Sequence, residues 1–337
     1  MIPRIVPADK TPGWQASLAM AITDPDQLLK QLELAPSCSS AARAAQQQFR
    51  LKVPLSYLQR IRKGDRDDPL LLQVLPRAIE MQTQPMGYHS DPVGDTAASP
   101  LPGLIHKYHN RVLLIASPAC AIHCRYCFRR HFPYGETKTV RGQWQTALSY
   151  IAERPNIEEV ILSGGDPLTL SDRRLRDLIE ALEEIPSIKR LRIHSRLPIV
   201  LPERVNHELL SWISSSRFEI IMVVHCNHPR ELAHDVTTAL EQLDATGLRL
   251  FNQAVLLNGV NDCAQTLAEL SEQLFSLRVQ PYYLHLLDKV SGAAHFDIPP
   301  DKVRAIYQQL TTLLPGYLLP KLVKDEPGAA AKTLLLP

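Results

Sequence analysis

From residue 111 onward, short apolar runs rich in β-branched residues return at regular intervals: "RVLLIAS" (111–117), "EEVILSG" (158–164), "KRLRIHS" (189–195), "FEIIMVVH" (218–225), "LRLFNQAVL" (248–256), "VQPYYLHLL" (279–287) and "GYLLPKLV" (316–323). Helical stretches such as "SDRRLRDLIEALEEI" and "RELAHDVTTALEQLDATG" lie between them. Six or seven β–α repeats predict a parallel sheet with helices outside it, an α/β class. An open or partial (β/α) barrel and a doubly wound sheet both fit. No Gly-x-Gly-x-x-Gly follows a strand, which counts against the dinucleotide-binding version. Residues 1–100 read as a mainly helical extension: "DPDQLLKQLEL" (24–34) opens on a capping Asp24, and "PLSYLQRIRKGD" (54–65) and "DPLLLQVLPRAIEMQ" (68–82) read similarly. "SDPVGDTAASPLPG" (90–103) is a loop by composition. The expected division is an extension over 1–100, an α/β core over 101–315 and a C-terminal segment over 316–337.

Barrels carry their chemistry at the carboxyl ends of the strands. The polar residues just past each expected strand are Cys120, Cys124 and Cys127, then Gly164-Gly165-Asp166, Ser195-Arg196, His225, Gln253, His285 with Asp288, and Asp325. "CAIHCRYCFRR" (120–130) is the densest of these. Its Cys-x3-Cys-x2-Cys spacing puts three thiolates on one loop. Zinc sites close with a fourth Cys or His, commonly from a second pair, and Cys38, Cys226 and Cys263 are scattered singly. His123 lies inside the loop, so a Cys3His zinc site is one reading. A [4Fe–4S] cube held by three thiolates is the other. It leaves one iron open to chelate a substrate or cofactor.

Charge excludes some classes. Lys+Arg number 37 against Asp+Glu 35, a formal net charge of +2. That balance makes no electrostatic case for nucleic acid or a membrane surface. No apolar run approaches the ~20 residues of a membrane span. "MIPRIVPADKTPGWQ" has no signal-peptide core. The expectation is a cytoplasmic protein, whose clustered cysteines serve metal or redox chemistry rather than disulfides.

The cysteine spacing, with Tyr126 before the last cysteine, resembles the radical S-adenosylmethionine superfamily, and "SGGDPL" (163–168) matches its glycine motif. That resemblance implies a partial (β/α)6 TIM-like barrel, with glycines that let the backbone approach the cofactor's amino group. "HKYHNRVLLIASPACAIHCRYCFRRH", "RIHSRLPIVLP", "NQAVLLNGVND", "PYYLHLLDKVSGAAHF" and "KDEPGAAAKTLLLP" in that order resemble the lysine 2,3-aminomutase family, from about residue 85 to the end. The family implies three cofactors: a [4Fe–4S] cluster on Cys120, Cys124 and Cys127, S-adenosyl-L-methionine, and pyridoxal 5′-phosphate carried by Lys332. By the same resemblance Arg111, Tyr108 and Gln253 serve the pyridoxal group, and Arg129 takes the substrate carboxylate. Gly164, Gly165, Asp166, Ser195, Arg196 and His225 face the cofactors. Asp288 and Asp325 hold the distal ammonium of L-lysine. Two acceptors around one ammonium select lysine, because a shorter substrate leaves them unpaired.

The resemblance also implies an electron donor such as flavodoxin or ferredoxin, and leaves an oligomer possible. His285 stands where the catabolic enzymes carry a tyrosine, and Lys107 where they carry an arginine. Cys263 matches one family zinc ligand without its partners, so no zinc site is expected. The chain stops five residues after Lys332. On that ground it most resembles the bacterial branch that makes (R)-β-lysine for elongation factor P, where a separate lysine ligase attaches it. The competing readings are a 2,3-aminomutase for another amino acid, or a non-catalytic iron–sulfur or zinc protein.

Overall fold

The computed structural model describes residues 13–35, 39–134 and 143–335. One sheet organises it, with strands β1 (Leu104–Tyr108), β2 (Arg111–Ser117), β3 (Glu159–Gly164), β4 (Arg190–Ser195), β5 (Glu219–Val224), β6 (Arg249–Val255), β7 (Val279–His285), β8 (Lys321–Lys324) and β9 (Thr333–Leu334). They follow one another in sequence order. β2 to β8 are all parallel. β1 pairs antiparallel with β2, and β9 with β8. β1 and β9 are the two edges, so the barrel is open. A helix follows each of the first six parallel strands: α1 (Gln143–Ala152), α2 (Asp172–Glu183), α3 (His207–Ser215), α4 (His234–Asp244), α5 (Ala264–Ser276) and α6 (Pro300–Leu313). This is the partial (β/α)6 barrel with a seventh parallel strand completing it.

The crossover helices form for local reasons. In α2, the Ser171 hydroxyl accepts from the Arg174 amide, and Leu175, Leu178, Ile179 and Leu182 recur at helical spacing and are buried. Each such leucine contributes about 2 kcal/mol of transfer free energy. β3 buries five of its six residues, whereas β4 and β6 alternate buried residues with half-buried or exposed ones.

Ahead of the barrel, the extension is less helical than its sequence suggests. Asp24 does cap a helix, Pro25–Gln31, its side chain accepting from the Asp26 amide. The stretch 54–65 holds only one turn, Leu55–Leu58. The stretch 68–82 holds one turn at Pro69–Leu72 and a 3-10 turn at Ala78–Met81. Pro76 lacks the amide a continuous helix would need. The leucines there pack on the barrel instead: Leu51, Val53, Tyr57, Leu70, Leu71 and Val74 share one hydrophobic core with the strands. No helix among the described residues is long and apolar enough to cross a membrane.

Candidate active site

The sheet wraps a cavity of about 700 Å³, within the range of small-molecule and cofactor sites. The three cysteines come to it from the loop after β2, and Lys332 from the turn into β9 at the opposite edge of the sheet. Of the residues expected at the site, all but Ser195 contribute to its wall.

The loop after β2 presents Cys120, Cys124 and Cys127, all free. Among the described residues no three His, Cys, Asp or Glu side chains converge on a single-ion position. A Cys3His zinc site, with His123 as the fourth ligand, therefore has no preformed geometry. His123 Nδ1 instead donates to the Arg50 carbonyl at 2.8 Å. Three spaced thiols on one concave wall fit a cluster, which offers each a separate iron. Burial raises the Cys127 thiol to about 11, helped by neighbouring Cys124. Burial also drives the Cys120 thiol well up. Metal binding must therefore expel these protons. The Arg196 guanidinium donates to Cys124 Sγ at 2.7 Å, and to Gln73 and Glu231 behind it.

The glycine motif is needed for close approach of backbone to backbone. A Cβ on Gly164 would lie 2.4 Å from the Ser117 carbonyl oxygen, and one on Gly165 at 2.4 Å from that of Ala119. Gly164 also has φ +126, which favours glycine. The chain entering the cysteine loop thus packs directly on the end of β3, and the Gly165 and Asp166 amides donate to Ser117 and Ala119. Asp166 then clamps the end of β4. It accepts from Ser195 Oγ at 2.8 Å, from the Arg196 amide at 2.7 Å and from the Leu168 amide at 3.0 Å. Burial raises its pKa to about 6 against those donors.

On the side wall, Arg129 is buried, its Nε 2.7 Å from Asp95 and one terminal nitrogen 3.1 Å from Ser163 Oγ. Lys107 pairs with the same Asp95 at 2.6 Å. Burial alone would raise the Asp95 carboxyl, but Arg129 and Lys107 hold it below the ordinary value. Arg111 stacks over the Tyr108 ring at 4.3 Å. His225 and His285 each have a buried Nε2 with no hydrogen-bond partner. Burial, with Arg196 and Arg129 nearby, lowers His225 to about 3. Burial also keeps His285 neutral, aided by Lys332. Lys332 Nζ contacts Asp325 at 2.5 Å and lies 5.8 Å from the Tyr283 ring centre. Asp288, half-buried, is raised to about 7 by burial and by Asp325.

Residues 114–210 match the Radical SAM superfamily model. The "L-lysine 2,3-aminomutase" of Escherichia coli is 49% identical over 96% of this chain and 94% of its own length. That of Haemophilus influenzae is 46% identical over 96% and 95%. The chain belongs to the lysine 2,3-aminomutase family. The Clostridium subterminale "L-lysine 2,3-aminomutase" is 34% identical over 96% of this chain and 78% of its own. Among solved structures, Streptococcus suis SuiB bound to S-adenosylmethionine aligns with a TM-score of 0.47 at 13% identity, over 66% of this chain and 52% of that one.

Family motifs pointed to the cavity wall and missed what holds it. Glu80 receives both Arg125, at 2.9 and 2.5 Å, and Arg130, at 3.0 Å, all buried. Gln73 and Glu231 hold Arg196, and Asn227 joins them to Tyr126 at 2.7 Å. The only sequence signal for Tyr126 was its place in the cysteine spacing. Asp95 sat in a stretch that composition marked as loop.

Proposed function

We propose that this protein isomerises L-lysine to β-lysine, moving the α-amino group to carbon 3. The observation that carries the reading is one cavity lined both by the three cysteines and by Lys332, which contacts Asp325 and has Asp288 nearby. Bound there, the cluster and S-adenosylmethionine supply a carbon-centred radical, and pyridoxal phosphate supplies an electron-accepting π system for the moving nitrogen.

The chain's own residues bind, orient and shield. Cys120, Cys124 and Cys127 hold the metal, with the Arg196 hydrogen bond tuning Cys124. Gly164, Gly165 and Asp166 fix the adjoining wall, with Ser195 behind it. Lys332 carries the pyridoxal group, and Arg111, Tyr108 and Gln253 flank it. His225 and His285, neutral and unpartnered, offer hydrogen bonds without adding charge. Arg129 takes the substrate carboxylate, since a guanidinium offers it two parallel donors. Asp95 already orients that guanidinium. Asp288 and Asp325 take the distal ammonium. This favours lysine over glutamate, whose side-chain carboxylate they would repel.

The further reading, that the product serves elongation factor P through its lysine ligase, is carried by the resemblance to that bacterial branch. Supplying the purified ligase with this enzyme's product and following the mass of elongation factor P tests that. For the site itself, Asp288→Asn and Asp325→Asn should each raise the KM for lysine about tenfold or more. Lys332→Ala should lose the pyridoxal label that borohydride fixes in the parent protein. Unchanged KM values or a retained label would contradict the assignment.

A further inference from the structure

Behind the cavity wall, the cysteine loop meets a closed ring of buried polar groups. Arg196, at the end of β4, is the one described side chain that donates to a sulfur of that loop, through a terminal nitrogen 2.7 Å from Cys124 Sγ. Its other terminal nitrogen donates to Glu231 Oε2 at 2.9 Å and to Gln73 Oε1 at 2.7 Å. Gln73 Nε2 closes the ring by donating to Glu231 Oε1 at 3.2 Å, and the Asn227 amide donates to the same oxygen at 3.1 Å. Glu231 and Gln73 are fully buried, and neither lines the cavity. Gln73 belongs to the N-terminal extension.

The charges in this ring bear on whatever the cysteines hold. The potential of an iron–sulfur cluster follows the net charge around it and the hydrogen bonds to its sulfurs. Reduction adds one negative charge. A nearby guanidinium favours that step and a nearby carboxylate opposes it, with little screening in a buried site. Among the described residues Glu231 is the one ion-pair partner of Arg196. An uncompensated Arg196 would make the cluster easier to reduce, and so a weaker reductant. The Glu231 carboxylate offsets that charge from the side away from the sulfur and leaves the N–H donor in place.

We propose that Glu231 is a positioning residue that sets the reducing power of the cluster, by holding Arg196 on Cys124 and offsetting its charge, with Gln73 bracing both. The proposal rests on the iron–sulfur reading of Cys120, Cys124 and Cys127. It ties the N-terminal extension to the chemistry. Through its side chain Gln73 fixes the guanidinium that bonds a metal-binding sulfur, and its carbonyl accepts the Arg125 amide, beside Cys124 in the loop, at 2.8 Å.

The test is Glu231→Gln, which keeps the side chain's shape and removes its charge, beside Glu231→Asp, which keeps the charge. Each reconstituted protein, with pyridoxal phosphate bound, is poised anaerobically at a series of potentials, and the reduced cluster is counted by electron paramagnetic resonance. In Glu231→Gln the midpoint potential should rise by about 59 mV, a tenfold change in a one-electron equilibrium. Glu231→Asp should stay within about threefold of the parent in that equilibrium, since the charge is retained. Arg196→Gln removes the cation and leaves the carboxylate, so its midpoint should fall; this gives the sign independently if one variant folds poorly. Equal midpoints in the parent, Glu231→Gln and Arg196→Gln, or shifts of the same sign in the two variants, would overturn the proposal and leave the cluster reading standing. A parent protein with no reduced-cluster signal at any potential would overturn the cluster reading, and the proposal with it.

Discussion

Asp288 gives the most direct pH signature. Its pKa of about 7 means that below neutrality the carboxyl is largely protonated, and an incoming ammonium must first expel that proton. The KM for lysine should fall as pH rises from 6 to 8, and Asp288→Asn should bind more weakly with that slope gone. A KM that is flat with pH in the parent would count against Asp288 as an ammonium acceptor. The same shift has a stability side. The folded value lies above the unfolded one, so the native state binds this proton more tightly. Asp288 therefore costs stability as pH climbs from about 4 to about 7. The melting temperature of Asp288→Asn should gain on the parent across that window and match it in acid. The motif-borne residues were legible because they lie in short runs around their strands. Glu80, Asp95 and Glu231 were not, because each acts on partners far away in sequence: Arg125 is 45 residues from Glu80, and Arg196 is 35 from Glu231.

At the scale of elements, the cysteine loop is held from two sides. On the barrel side it packs on the glycine end of β3. Gly165→Ala must push a methyl into the Ala119 carbonyl, so the loop has to shift. The variant should fold, since the strand core is untouched, but retain well under half the parent's iron on reconstitution; full iron content would show that the contact is dispensable. On the extension side, Glu80 offsets two buried arginines. Glu80→Ala leaves Arg125 and Arg130 without their counter-charge, at a cost of about 3–5 kcal/mol. A denaturant titration should show that loss, and a change under 1 kcal/mol would contradict it. The one-turn helices over 55–58 and 69–72 escaped the sequence reading for a related reason. Their leucines follow helical spacing, yet packing against the barrel, with Pro76 in the way, decided their backbone.

For the whole molecule, the seven parallel strands were legible from apolar runs alone; their order was not, since the runs fit a doubly wound sheet as well as a barrel, and the structure shows the sequential order of a barrel. The edge strands were not legible. β1 lies beside a loop-like stretch, and β9 is two residues long, with no periodicity to read. Both matter to the site. β1 brings Lys107 and Tyr108 to the cavity, and the turn into β9 brings Lys332. The extension shares the barrel's core, so the wall around the cysteines is built from parts of the chain that sequence patterns treat separately. On the proposed reading, radical generation and the lysine site share one enclosure.

The measurement that tests this claim most directly is an anaerobic product assay. Reconstituted protein is given L-lysine, pyridoxal phosphate, S-adenosylmethionine and a strong reductant, and β-lysine is counted against methionine released. Many β-lysines per methionine are predicted, since one enclosure lets the radical return to its source after each turnover. Methionine released without β-lysine would contradict the account: the cysteines would still hold a working cluster, but the cavity around Lys332 would not be a lysine site.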